Sequence, residues 1–521
     1  MIGSDRRLGD GIDAPLQLTS GSAIVTGGLY VSILFQFIQV LVISHLLGDV
    51  GIGLVSLATR TVSLVQTLIV IGIPTMITRN LAASEDRACR DSLFSTSVAM
   101  TLPMSVLAVL SILVAAPYVS LAMDDLRVGP LVALLGLSLP FSSLGALALA
   151  YLRGTMQFGR YSLLLVVSPA LSLFVITLLI GSLTPEVVVL SVLIATAVSS
   201  VVGLRLANPR TWKLLGGLFV RSILLPGVPL LFLALAGTFM DSIDAIVLQI
   251  ITADVGIVGV YSNAYSLAAY LRYLVEPLAL VLLPIASKAL SSEDRVAVSS
   301  ILSSSLKVIF VFFTPLAFLF AMLSPEIIGL LLPSVFLQGS LSLAVLALAS
   351  PCLACYYVFS RTLIAAGKMY LLSLLVGTSL LAGFIIKVVL TLFFGMLGTA
   401  VSSAISFAIM AIVTGVFMKR TCGLALILTR RAFVGPFSVL LVSFTLRQVV
   451  SAILASYGLV HPLAVVAIVF VGVFAIETVV KPLSAEEASL IVDSVSVLPI
   501  AGRLSPMLRR ILALVSRTSV H

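Results

Sequence analysis

The feature that most limits the fold of this 521-residue chain is a near-continuous succession of apolar runs, each about 20 residues long. A helix of that length rises ~30 Å, enough to cross the hydrocarbon of a bilayer, and satisfies its own backbone polar groups on the way. Breaking the runs at charged and Gly/Pro-rich turns predicts spans at 21–46, 52–77, 93–117, 128–151, 162–182, 186–205, 222–248, 257–285, 303–323, 338–359, 370–393, 396–418, 432–455 and 460–480. With 60% apolar and 10% charged residues and a mean hydropathy of +1.24, the chain cannot coat a water-soluble surface. The expected fold class is an all-α polytopic membrane protein with about 14 transmembrane helices.

The lipid bilayer is therefore the first partner, and the net charge of +9 is read through its placement, with no nucleic acid implied. Of the 30 Lys and Arg residues, Arg60, Arg272, Lys387 and Arg447 fall deep inside spans, Arg205 and Lys307 fall near the cytosolic ends of theirs, and Arg127 alone falls in an outer loop. All the others lie on one side, which orients both termini to the cytosol of a multi-pass cell-membrane protein. The opening MIGSDRRLGDGIDAPLQLTS is polar and acidic, and reads as a retained cytosolic tail, not a cleaved leader. Cys352 and Cys355 form a CxxC inside an apolar stretch with no second pair or histidine nearby, so no metal site and no cofactor is expected.

Three echoes divide the chain. DVGI at 49–52 returns at 254–257, SEDR at 84–87 returns at 292–295, and RGTMQFGR at 153–160 shares the pattern Arg, then Gly six positions on, then a cation with RTLIAAGK at 361–368. Each pair occupies the same topological place at an offset of 205 to 208, as a duplicated six-helix unit requires. Six is even, so both copies enter the membrane the same way and relate by a pseudo-twofold axis along its normal. The predicted organisation is a cytosolic tail at 1–20, lobes at 21–221 and 222–420, two further helices within 421–481, and a cytosolic tail at 482–521. Ser84 or Ser292 of the SEDR repeat is expected to cap the helix that follows. In the tail, Ser484 and Glu487 have capping-box spacing, and Met507, Leu508, Ile511, Leu512 and Val515 oppose Arg509, Arg510 and Arg517 as in a basic helix lying on a membrane surface.

HLLGDVGIGLVSLATR at 45–60, RGTMQFGRYSLLLVVS at 153–168 and DSIDAIVLQIITADVGIVGVYSNAYSLA at 241–268 resemble the corresponding stretches of Wzx-type oligosaccharide flippases. These belong to the multidrug/oligosaccharidyl-lipid/polysaccharide (MOP) superfamily, with the lipid II flippases and the MATE drug exporters. The resemblance implies two six-helix lobes in a V shape, two extra C-terminal helices, a cavity lined by helices 1, 2, 7 and 8, and a polyprenyl-linked glycan turned over by alternating access. It also implies a monomer working beside glycosyltransferases or a polymerase of the same pathway. In the lipid II branch basic residues of helices 2 and 8 matter, and Arg60 and Arg272 fall in those helices here.

An ionised group at mid-membrane costs about 2.5 to 3.5 kcal/mol, so each needs a partner or a wet cavity. The candidates are Arg60, Asp241, Asp244, Arg272, Glu276, Lys387 and Arg447, five of them in helices the resemblance assigns to the cavity wall. Arg60 and Arg272 are expected to grip a phosphate or pyrophosphate, for which a guanidinium fork is suited. The competing reading is internal pairing, of Arg272 with Glu276 at i,i+4 and of Arg60 with Asp241 or Asp244. Gln36 and Gln39 in the first span offer hydrogen bonds to sugar hydroxyls or, alternatively, to neighbouring helices. Lys387 serves the second lobe and Arg447 a groove for the prenyl tail, or each is simply paired in the fold.

No GxxxxGK[ST] is present, which disfavours an ATP-driven pump. An intramembrane glycosyltransferase would place clustered acids in a sizeable aqueous loop, and the loops are short. A cation-coupled MATE-like exporter is the closer rival, and a lipid II-type flippase another. Spans 1 to 6 as drawn hold no acid beyond Glu186 at the very edge of the sixth, which favours lipid-linked sugars over H⁺- or Na⁺-coupled drug efflux. Coupling to the membrane potential, H⁺ or Na⁺ stays open, as do the sugar and the carrier.

Overall fold

The computed structural model describes residues 10–422, except 71, 85, 210, 211, 215, 216 and several between 276 and 294, together with Gln448, Leu483–Ser484 and Ser516–Arg517. The predicted spans 432–455 (Gln448 apart) and 460–480, Arg447, Glu276 and the apolar face of the tail helix lie outside these residues. Within the tail, Leu483–Ser484 pairs in parallel with Ser516–Arg517.

The chain is built from helices: α1 (Asp10–Val70), α2 (Ile73–Ala83), α3 (Arg87–Ala122), α4 (Val128–Gly136), α5 (Leu139–Gly154), α6 (Phe158–Leu178), α7 (Pro185–Ala207), α8 (Gly217–Thr252), α9 (Val255–Arg272), α10 (Arg295–Val308), α11 (Thr314–Met322), α12 (Ser324–Leu331), α13 (Ser340–Ala365) and α14 (Met369–Cys422). α1 is two helices joined at Gly48 and α14 two joined at Gly395. Both glycines have positive φ, 66° and 55°, a conformation that costs a residue with a Cβ roughly 1 kcal/mol or more. Among the described residues, eight stretches are long and apolar enough to cross a bilayer, or nine if α4 and α5, bent by 46°, count as one; α1 and α14 are each long enough to cross twice. This is an all-α polytopic membrane protein.

α9 differs from the rest. Its sequence, VGIVGVYSNAYSLAAYLR, is too polar to face lipid, and most of its 18 residues are buried. It runs among α1, α8, α13 and α14 with protein on every side.

Two predicted spans end early. Span 2 was drawn to residue 77, yet the helix stops at Val70 and resumes after Gly72, which has φ 67°. Pro74 explains this, since it has no N–H for the Val70 carbonyl and its ring would strike that carbonyl. Span 8 was drawn to 285, yet α9 ends at Arg272 in a turn closed by Val275 N–H to the Arg272 carbonyl at 3.0 Å. Pro277 follows in the sequence and has no N–H to offer the Tyr273 carbonyl, so the hydrogen-bond ladder of α9 has no donor there.

The duplication is visible in the turns. Gly48 and Ala253 both have positive φ and precede the two DVGI segments. α3 and α10 both start at the Arg of SEDR. The third echo needs a correction of register. The turn after α5 bonds Gln157 N–H to the Leu152 carbonyl and Met156 N–H to the Arg153 carbonyl, while the turn after α13 bonds Lys368 N–H to Leu363 and Gly367 N–H to Ile364. Met156 therefore matches Gly367, and Arg153 matches Ile364, one helical turn away from the pairing that the letters suggest. The cap also moves by two residues. Asp86, not Ser84, caps α3, its carboxylate accepting from the N–H groups of Ala88 and Cys89 at 3.1 and 3.3 Å. Ser84 instead closes α2, with Oγ donating to the Asn80 carbonyl at 2.8 Å.

The two halves share one core at the Gly48 end and have separate cores at the other. Leu57, Ala58, Leu131, Leu248, Val258, Tyr261 and Leu346 belong to one buried cluster that spans both halves. Toward SEDR, Ile77, Leu81, Phe94 and Leu147 pack in the first half, and Leu302, Val358, Leu372 and Met410 in the second. Hydrocarbon gives helices no hydrophobic reason to associate, so close backbone approach does the joining. A Cβ on Gly53 would sit 2.0 Å from the Val255 carbonyl oxygen, and one on Gly259 would sit 1.9 Å from that of Asp49. The two DVGI hairpins interlock through those glycines. Ser44 and Asn263, and deeper Thr67 and Thr238, add polar contacts at 3.0 and 2.8 Å along the same seam.

Candidate functional site

α8 and α9 form an antiparallel hairpin about Ala253 and Asp254, with the Asp254 carboxylate accepting from Ile257 N–H at 3.2 Å to cap α9. Asp244 and Asp241 lie one turn apart on α8, and Tyr261 and Tyr265 one turn apart on α9. The hairpin sets them opposite each other as two rungs.

On the inner rung, Tyr261 donates to Asp244, which is fully buried. Lys387 Nζ pairs with Asp244 Oδ1, and Ser403 Oγ donates to Asp244 Oδ2 at 2.7 Å. Lys387 also donates to Ser403 Oγ at 3.1 Å. This acid therefore has every partner it needs, all within the second half. Beside it a narrow cleft is lined mainly by Phe239, Met240, Ile243, Leu380, Phe384 and Phe407.

The outer rung is less complete. Tyr265 Oη donates to Asp241 Oδ1 at 2.5 Å, and Arg272 Nη2 stands 3.9 Å from the same oxygen. The Asp241 side chain is 66% exposed, whereas that of Arg272 is 8% exposed. Arg272 lies with its guanidinium carbon 4.8 Å from the centre of the Tyr265 ring and 5.8 Å from that of Phe407. Arg60 reaches the same Tyr265 ring from the first half, at 4.9 Å. Its Nε donates to Ser56 Oγ at 3.0 Å, and that oxygen is 2.7 Å from Ser262 Oγ across the seam. Two guanidinium groups thus meet over one ring with a single carboxylate nearby. Among the described residues, no carboxylate pairs with Arg60 and the buried Nη1 of Arg272 has no acceptor.

The structure brings together Arg60, Arg272 and Asp241, and puts Asp244 and Lys387 one turn behind them. The internal pairs expected from sequence take a different form. Arg272 faces Asp241, while its expected partner Glu276 lies outside the described residues. Gln36 and Gln39 each bond to a serine. Gln36 donates to Ser32 on its own helix and Gln39 to Ser172 on α6, both at 3.2 Å. Nor is the first half free of acid. α3 begins earlier than its predicted span, so Asp91 is inside the helix, buried, and accepts from Tyr151 Oη at 3.0 Å. Outside the spans, the Arg127 guanidinium, 2.7 Å from Asp125, holds that carboxyl below its ordinary range by hydrogen bonding.

The polysaccharide biosynthesis protein family matches residues 18–290, more than half of the chain. The chain belongs to that family. Among its relatives is the "Probable low-salt glycan biosynthesis flippase Agl15" of Haloferax volcanii, 26% identical over 176 residues, 34% of this chain and 37% of that protein. The match thus spans little more than a third of that relative's length. In fold, the lipid II flippase MurJ in an inward closed conformation superposes with a TM-score of 0.69 at 14% identity, covering 87% of this chain and 97% of that one. An inward-facing MATE family multidrug resistance transporter of the MOP superfamily gives 0.64 at 14% identity, over 75% and 94%. The fold is that of the MOP superfamily.

In this family member the residues that sequence reading missed are the ones without charge. Tyr261, Tyr265, Ser56, Ser262 and Ser403 hold the charged groups in place. A signal for the tyrosines was present, since Tyr261 and Tyr265 are spaced i,i+4 in the one span whose polarity denies it a lipid face.

Proposed function

We propose that the protein is a flippase, a transporter and not an enzyme, that turns a polyprenyl-(pyro)phosphate-linked oligosaccharide from the cytosolic to the outer leaflet by alternating access. Its two halves are read as the lobes 21–221 and 222–420, and its termini as cytosolic because the basic residues gather on that side. The glycan flippase among its relatives and the family's place in polysaccharide biosynthesis support the reading.

The observation that carries it is the meeting of Arg60 and Arg272 on Tyr265. One guanidinium comes from each half, and Arg272 keeps a buried N–H without an acceptor among the described residues. Two such cations in a membrane interior repel each other until an anion joins them, and bidentate guanidinium contacts suit phosphate oxygens. A cationic drug would meet the same positive pair and be repelled, which sets this site against the exporter reading. Phosphate held across the seam also links substrate binding to the relative position of the lobes.

The test is translocation of a fluorescent polyprenyl-diphospho-sugar by the full chain in proteoliposomes. Arg60→Ala and Arg272→Ala are each expected to slow translocation at least tenfold, about 1.4 kcal/mol or more. Unchanged rates in both variants would show that the arginines do not hold the anion.

A further inference from the structure

We propose that the Asp241 carboxylate is a stand-in for the substrate's phosphate: it neutralises Arg272 while the site is empty and is displaced when the phosphate arrives. This rests on the anion-binding reading above.

Three observations lead there. The first is the way Asp241 is held. Among the described residues it holds one hydrogen bond from Tyr265 and a distant pairing with Arg272, and its side chain is two-thirds exposed. Asp244, one turn away on the same helix, is fully buried with three donors around it. One acid is fixed, and the other, exposed and lightly held, is free to swing away.

The second is the charge count. Arg272 faces Asp241 and Arg60 shares the Tyr265 ring that donates to it, whereas Lys387 is already matched by Asp244. Asp241 offsets one of the two guanidinium charges. A phosphodiester that replaced it would offset one and a diphosphate diester two, so the exchange costs the site no compensation and can complete it.

The third is the hydrogen bonding left over. Tyr265 Oη points its proton at Asp241 Oδ1, and Arg272 offers Nη2 to that same oxygen. A phosphate oxygen placed there would take both donors, and its neighbour would reach the open Nη1. A neutral sugar hydroxyl supplies no charge and cannot displace the carboxylate. Asp241 therefore makes the site selective for an anion and sets the affinity below the maximum that two arginines allow, because only the fraction of molecules with Asp241 released is ready to bind. When the product leaves, the carboxylate returns, and the empty carrier crosses its cycle without an unmatched guanidinium in the membrane.

The experiment measures equilibrium binding of farnesyl diphosphate, farnesyl phosphate and farnesol to the full chain in nanodiscs. Asp241→Asn, which keeps the shape and an acceptor for Tyr265 but loses the competing charge, is expected to bind both phosphates about tenfold tighter and farnesol no differently. It should also translocate the fluorescent glycolipid more slowly, because release becomes limiting. Asp241→Ser repeats the measurement if the amide variant does not fold. Phosphate affinity equal to or weaker than the parent's, with Arg60→Gln and Arg272→Gln losing at least tenfold, would overturn the stand-in and leave the anion site intact. If the arginine variants bind both phosphates like the parent, the anion reading itself fails and takes this inference with it. Equal tightening toward farnesol would also overturn it, by showing a general loosening of the site.

Discussion

Asp241 and Asp244 are three residues apart on one helix, and the surrounding protein treats them in opposite ways. Asp244 has an ammonium, a hydroxyl and a phenol around it, all supplied by α9 and the two arms of α14, so its network closes within the second half. Asp241 faces the seam, where the first half contributes Arg60 and Ser56, and its network stays incomplete. The inner acid fastens one lobe together. The outer one belongs to a contact between the halves, which the proposed alternating access would break and re-form.

The largest effect should come from breaking the inner network. Lys387→Met leaves Asp244 buried without its counter-charge and is expected to destabilise the protein by about 3–5 kcal/mol, read as a fall in thermal unfolding temperature in detergent. Adding Asp244→Leu should recover most of that loss, since two apolar residues replace a matched pair. Asp241→Asn should move the same temperature little. If it is as damaging as Lys387→Met, the contrast between the two acids is false.

Next in size is Arg272→Lys, which keeps the charge and loses the fork. Translocation is expected to fall about tenfold with stability nearly unchanged, because a point charge cannot serve two oxygens from the same place. A wild-type rate would reduce the site to simple charge attraction.

Gly259→Ala separates the two networks in another way. Its Cβ would meet the Asp49 carbonyl oxygen at 1.9 Å, so the hairpins must part, at a cost of about 1–3 kcal/mol. Spin-label distances between the halves should lengthen, and the Arg60 contact with Tyr265 should weaken while Asp244 and Lys387 stay paired. Gly237→Ala, which meets nothing within 4 Å, is the matched control and should leave the distances unchanged.

The smallest effects lie at the edges. Ser56→Ala removes the hydroxyl between Arg60 and Ser262, worth about 0.6 kcal/mol for a hydrogen bond between membrane helices. Far from both acids, the exposed Asp125–Arg127 pair contributes no more than about 0.5 kcal/mol. Because its carboxyl is held below its ordinary range, that small contribution is present above the unfolded-state value of about 3.9 and is lost as pH falls through the lower folded-state value. Asp125→Asn should flatten this acid limb and leave translocation untouched.

Much of the architecture could be read from local rules. The turns at Gly48 and Gly395 fall between predicted spans, and the DVGI and SEDR echoes mark matching helix starts, because turn residues and charges punctuate an apolar chain. The errors have equally local causes. The helices at Val70 and Arg272 end inside apolar sequence, where hydropathy carries no signal and only the proline a few residues on does. The RxxxxxG echo matched letters one helical turn out of register, since a three-residue slip keeps the same helix face. What sequence could not give is pairing. Lys387 and Asp244 lie 143 residues apart, and nothing in either neighbourhood names the other. The same holds for Asp91 and Tyr151, whose contact lies just outside the third span as drawn.

The polarity of α9 also bears on how the protein is made. A segment carrying Tyr261, Ser262, Asn263, Tyr265 and a terminal Arg272 is poorly suited to leave the translocon for lipid unaided, because each polar group raises the cost of insertion. The adjoining α8 is strongly apolar and is joined to it by a tight turn at Ala253 and Asp254. The two are best inserted as one hairpin, so that Asp241 and Asp244 meet their tyrosines during synthesis and shield them from the acyl chains. On that view the residues that later greet the substrate first serve as each other's escort into the membrane.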